Sequence, residues 1–131
     1  MNHKKYLALA GRIRQELSEL ERLVERVRLA WQRVNKTGDD FYADSVALNL
    51  HGIYTGLERV FELIAIHVDQ AKPEGQNWHQ ELLRQMAAEI PLVRPLVIST
   101  ETRDSLDAYR GFRHVVRNIY AFNPDLLRRG L

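Results

Sequence analysis

Apolar residues in the first quarter of the chain recur in a 4,3,4,3 alternation: Tyr6, Ala10, Ile13, Leu17, Leu20, Val24, Val27, Trp31 and Val34. This is heptad spacing, held for about four heptads, and it predicts one long helix over about 2–36. Arg and Glu fill the positions between, many at i,i+4, where opposite charges support a helix. The pattern reads as a long helix of a bundle rather than a free coiled coil. Thr37-Gly38-Asp39-Asp40 breaks it: Gly38 can close one helix, and the aspartates suit the N-terminus of the next.

A second stripe, Val46, Leu50, Ile53, Leu57, Val60, Phe61, Ile64 and Val68, predicts a helix over about 41–71. Two helices of this length joined by a few residues must lie antiparallel. Gly52 and Gly56, one turn apart, would let another helix come close. Lys72-Pro73-Glu74-Gly75-Gln76 reads as a loop. Asn77 suits the N-cap of a shorter third helix over about 78–89, with Trp78, Leu82, Leu83 and Met86 inward and Trp78-His79 capping and stapling it. Pro91 and Pro95 keep 92–98 out of a regular helix, and this apolar stretch reads as a packed crossover. Ser99 or Thr100 caps a last helix to about Phe122, with Glu101 and Asp104 in its first turns. The expected architecture is all-α: an antiparallel up-down bundle of four helices, the third short, forming a single domain over 1–131.

Composition narrows the function classes. The 131 residues carry a net charge of only +2, so anion binding must come from local clustering. With no cysteine, disulfides, thiolate catalysis and Cys-ligated zinc are excluded, and the chain suits a reducing cytoplasm. His51 and His67 do not form an i,i+4 ligand pair, and no metal or other cofactor is expected. No signal peptide is visible, and no apolar run approaches the roughly 20 residues of a membrane span.

The cationic clustering lies in the last helix. At 100° per residue, Phe112, Val115, Val116 and Ile119 share one stripe, and Arg110, Arg113, His114 and Arg117 share the opposite side, flanked by Asn118 and Tyr120. Three guanidiniums and an imidazole on one face repel each other unless an anion joins them, and a phosphodiester is the anion that fits best. Metal-free RNA cleavage needs proton transfer and stabilisation of a charged phosphorane; His supplies the first and Arg the second. The same face could instead be a solvated or salt-bridged basic surface.

The stretch Arg113-His114-Val115-Val116-Arg117-Asn118-Ile119-Tyr120 resembles the signature of the HEPN superfamily, specifically the HepT-like toxins of HEPN/MNT toxin–antitoxin pairs. That signature is an arginine, a polar residue, three variable residues and a histidine, often followed by x-Tyr. Arg113, His114 and Tyr120 match it, and Asn118 stands at the histidine. Tyr54 to Phe61, Gly75 to Leu83 and Arg94 to Ser99 also resemble HepT-like proteins. Related chains commonly carry a further C-terminal helix beyond the point where this sequence stops.

The resemblance implies a homodimer in which two signature helices form a composite cleft. There, RNA is cleaved without metal to 2′,3′-cyclic phosphate ends. It also implies an antitoxin partner of the minimal nucleotidyltransferase type, able to adenylylate the signature tyrosine, here Tyr120. Arg113 would then stabilise the phosphorane, Arg110 and Arg117 would hold flanking RNA phosphates, and Asn118 would hydrogen-bond the substrate. Asn cannot serve as a general acid or base, which leaves three readings. His114 performs the proton transfer; catalysis rests on arginine and Asn118 hydrogen bonding; or the domain is a non-catalytic module that binds RNA or a nucleotidyltransferase.

Overall fold

The computed structural model describes the chain over residues 3–122, with side chains through 113. Four α-helices follow in order: α1 (His3–Thr37), α2 (Asp40–Ile64), α3 (Trp78–Met86) and α4 (Thr100–Phe122). The described residues hold no β-strand, only an isolated bridge between Ile90 and Arg94. The chain divides into two compact units, 1–70 and 71–131.

The first unit is the α1–α2 hairpin. Gly38 takes a left-handed φ of 65° and its N–H bonds the carbonyl of Val34 at 2.8 Å, which closes α1. Asp39 then caps α2, its carboxylate accepting the N–H of Phe41 at 2.9 Å. The two helices run antiparallel. Leu20 lies against Gly56, where an added Cβ would come within 2.5 Å of Leu20 Cδ2, and Leu23 lies against Gly52, where it would come within 3.2 Å of Leu23 Cδ1. The two glycines thus provide the close approach expected of them. Arg59 and Glu16 bridge the same pair of helices at 3.5 Å.

Only half of the α1 heptad seam is covered. Ala10, Ile13, Leu20, Val27 and Val34 turn inward, whereas Tyr6, Leu17, Val24 and Trp31 remain exposed. The covered stripe is completed by Leu9, Glu16, Leu23 and Ala30. In α2 the buried positions are Val46, Tyr54, Gly56, Val60, Phe61 and Leu63, while Leu50, expected inward, is exposed. The regular helix stops at Ile64. Ala65–Asp69 forms one π-helical turn, and Gln70, with φ 56°, ends it by bonding the Ala65 carbonyl. Regular α2 therefore ends seven residues before the position that periodicity predicts, and the helical course continues only through the widened turn to Asp69.

The second unit holds α3, the following loop and α4. Leu82, Leu83 and Met86 are buried as expected, and Met86 is fully enclosed. Asn77 occupies the N-cap position without a side-chain bond, contrary to expectation, while the Trp78 and His79 rings stack with centroids 3.5 Å apart. The helix ends at Met86 rather than near Glu89 because Arg94 reaches back over it. Its guanidinium donates to the carbonyls of Gln85 (3.1 Å), Ala88 (2.8 Å) and Pro95 (3.0 Å). The N–H groups of Val97 and Ile98 bond the Met86 carbonyl. Residues 92–98 are non-helical, as the prolines dictate, but Leu92, Val93, Leu96 and Val97 are exposed, so this crossover is not a packed one. Ser99 caps α4, its Oγ accepting the Thr102 N–H at 3.1 Å.

Candidate functional site

The candidate cationic residues all fall within α4, whose helical course to Phe122 includes the whole signature stretch. The side chains of Arg110 and Arg113 are described. His114, Arg117, Asn118 and Tyr120 have helical backbone, and their side chains lie outside the described residues. The helical register, set by the Ser99 cap, puts Arg113 and Arg117 one turn apart.

Arg110 is not a bare cation. Its Nε donates to Asp107 Oδ1 at 3.0 Å, an i,i+3 pair with both side chains partly enclosed. The same carboxylate oxygen lies 3.5 Å from Gln80 Nε2 of α3, which ties Arg110 to the body of its own unit. Any phosphate taken by Arg110 competes with Asp107 for the guanidinium.

Arg113 stands in different company. It is half-buried, one turn beyond Tyr109, whose hydroxyl feels its charge. Burial raises the Tyr109 pKa above the usual phenol value, and the Arg113 charge offsets part of that rise. Tyr109 therefore carries an uncharged hydroxyl at neutral pH, one turn before Arg113. Sequence reasoning missed it, although a tyrosine four residues before an arginine on the cationic side was a usable signal. The Asp107–Arg110 pair was legible in the same way, from its i,i+3 spacing.

Phe112, the first member of the apolar stripe, is 66% exposed, whereas Arg113 lies on the more enclosed side. Within the described part of α4, the positions turned inward are Arg103, Leu106, Asp107, Tyr109, Arg110, Gly111 and Arg113. A large apolar ring is thus left at the surface, on the side of α4 away from the cations.

Among the described residues, no three His, Cys, Asp or Glu side chains converge as a metal site would require. No described helix is long and apolar enough to cross a membrane. Residues 45–130, which take in most of α2 and all of α3 and α4, match the sequence model of a family described as HepT-like protein. No curated protein matches the chain, and no solved structure does.

Proposed function

This chain belongs to the HepT-like family of the HEPN superfamily, and on that premise we propose that it is a metal-independent endoribonuclease, the toxin half of a toxin–antitoxin pair. The observation that carries the reading is the family match running through α4, the helix with the Arg113–Tyr120 signature. In this reading two copies bring their α4 helices together, and the paired cationic sides form one groove. Single-stranded RNA suits such a groove because its 2′-hydroxyl and base faces are open. The exposed Phe112 supports a second copy covering this part of the helix.

The chemistry assigned to the groove is transesterification. The 2′-oxygen attacks the adjacent phosphorus and loses its proton to the His114 imidazole. The bond to the 5′-oxygen breaks, that oxygen takes a proton from an imidazolium, and a 2′,3′-cyclic phosphate remains. Arg113 stabilises the phosphorane charge, helped by the Tyr109 hydroxyl beside it. Arg117 and Arg110 hold flanking phosphates, and Asn118 hydrogen-bonds the substrate. A nucleotidyltransferase antitoxin would silence the groove by transferring AMP from ATP to the Tyr120 oxygen, with pyrophosphate leaving and the phenol proton released. The added bulk and negative charge would then occupy the arginines.

The second reading is favoured by Asn118, which stands where the family signature has histidine. It is a module of the same fold that binds RNA or a nucleotidyltransferase without cleaving. One experiment separates the two: purified chain with single-stranded RNA in EDTA, beside Arg113→Ala and His114→Ala. Cyclic-phosphate products from the wild type, lost in both variants, support the nuclease. RNA or nucleotidyltransferase binding with no cleavage by the wild type establishes the module.

A further inference from the structure

The α1–α2 hairpin carries an arginine–aromatic groove at its closed end. Arg26, Leu29 and Arg33 of α1 and Phe41, Tyr42 and Ser45 of α2 line an open space of about 340 Å³. Phe41 is 71% exposed, and its ring meets Tyr42 edge-on, with centroids 5.6 Å apart and planes at 79°. The edge-on contact steadies the Phe41 ring, most of which stays open to solvent.

Arg26 and Arg33 stand seven residues apart on one side of α1, about 10.5 Å along the axis. Neither guanidinium makes an ion pair or hydrogen bond among the described residues. Arg22 and Arg28, on the same helix, are each held by a glutamate one turn back, at 3.2 Å and 2.7 Å. No carboxylate lines the groove among the described residues. Asp39, at the turn between the helices, has its carboxylate engaged as the α2 cap.

Two uncommitted guanidiniums beside an open aromatic face make a specific chemical offer. Guanidinium planes bind phosphate oxygens in bidentate fashion. An aromatic face takes a base only when that base is unstacked, as in a single strand and not in a duplex. We propose that this groove binds single-stranded RNA, with Arg26 and Arg33 on successive backbone phosphates and Phe41 stacked on a base. It is a second contact, on the first unit, for the substrate class assigned to α4, and it rests on that RNA-directed reading.

The test uses a labelled single-stranded RNA with 2′-O-methyl groups, which binds without being cleaved, titrated at several salt concentrations. The variants are Arg26→Gln with Arg33→Gln, and Phe41→Ala. All three positions are exposed, and circular dichroism confirms that the helices persist. Loss of two phosphate contacts makes the slope of log K against log salt shallower by about 1.4, at about 0.7 per contact, with affinity at low salt falling about tenfold or more. Phe41→Ala lowers affinity about fivefold or more and leaves the slope unchanged, because stacking releases no counterions. Unchanged affinity and slope in both variants overturn the proposal. So does a wild type that ignores the oligonucleotide or prefers a duplex. Cleavage by the wild type with unaltered binding in the variants removes this groove alone. Binding lost in the variants of a chain that cleaves nothing removes the nuclease reading alone.

Discussion

Arg110 and Arg113 are three residues apart on α4 and differ in what surrounds their charge. Arg110 already has a carboxylate at 3.0 Å, so part of its attraction for a phosphate is spent on displacing Asp107. Arg113 lies one turn beyond Tyr109, whose hydroxyl its charge reaches. We expect Arg113→Ala to slow single-turnover RNA cleavage by about 100-fold or more, the usual cost of removing one transition-state donor. Arg110→Ala should slow it less than about tenfold. Equal losses would show that the two arginines do not divide the work in this way. Tyr109 gives a pH prediction. Burial raises its folded pKa above the phenol value of the unfolded chain, so the unfolded chain ionises first. The stability this confers is fully present below about pH 10 and is lost as pH rises through the folded value. An absorbance titration at 295 nm should include a late tyrosine component that Tyr109→Phe diminishes. If the removed component titrates with ordinary phenols, the proposed burial effect is wrong.

At the scale of elements, glycines of one residue type have opposite consequences in one hairpin. Gly11 lies in the interior of α1 with open space where a Cβ would point. Gly11→Ala should stabilise the chain by about 0.5–1 kcal/mol, from lowered backbone entropy of the unfolded state. Gly56 is buried, and an added methyl group meets Leu20, itself nearly enclosed. Gly56→Ala should cost about 1–3 kcal/mol as the packing is forced apart. Thermal melts would move in opposite directions; a rise in both would sink the close-approach account. Helix extents and caps were legible at this scale wherever the signal is local, as at Gly38, Asp39 and Ser99. The ends of α2 and α3 were not. The first turns on a widened π-helical turn, and the second on Arg94, eight residues beyond Met86, folding back onto the helix-end carbonyls.

For the molecule as a whole, the exposed Phe112 and the cationic side of α4 make the second copy the central expectation. Sedimentation at micromolar concentration should give a dimer, and Phe112→Asp should give a monomer of unchanged helix content, with cleavage lost alongside. A wild type that stays monomeric would contradict the composite-cleft reading. So would a Phe112→Asp chain that remains a dimer. The candidate site was legible as a register of cations on one helix. Its electrostatic company was legible only where partners lie within one turn, as with Asp107 and Arg110.

The sequence by itself determined that the chain is helical, where most helices start, that prolines interrupt it before α4, and that its arginines gather on one side of that helix. These features follow from spacing of three and four residues and from the backbone preferences of Gly, Pro, Asp and Ser, which act locally. Only the tertiary structure decided which half of the α1 seam is covered. The periodicity marked Tyr6, Leu17, Val24 and Trp31 as equal to Ile13, Leu20, Val27 and Val34, yet Trp31 is 56% exposed and Leu20 is buried. Gly52 and Gly56 lie against Leu23 and Leu20, and their lack of a Cβ leaves the room which that side of α1 occupies. Depth of approach between two helices is set by the pair and not by either stripe, and for the same reason the burial of Tyr109 and the exposure of Phe112 came from the fold.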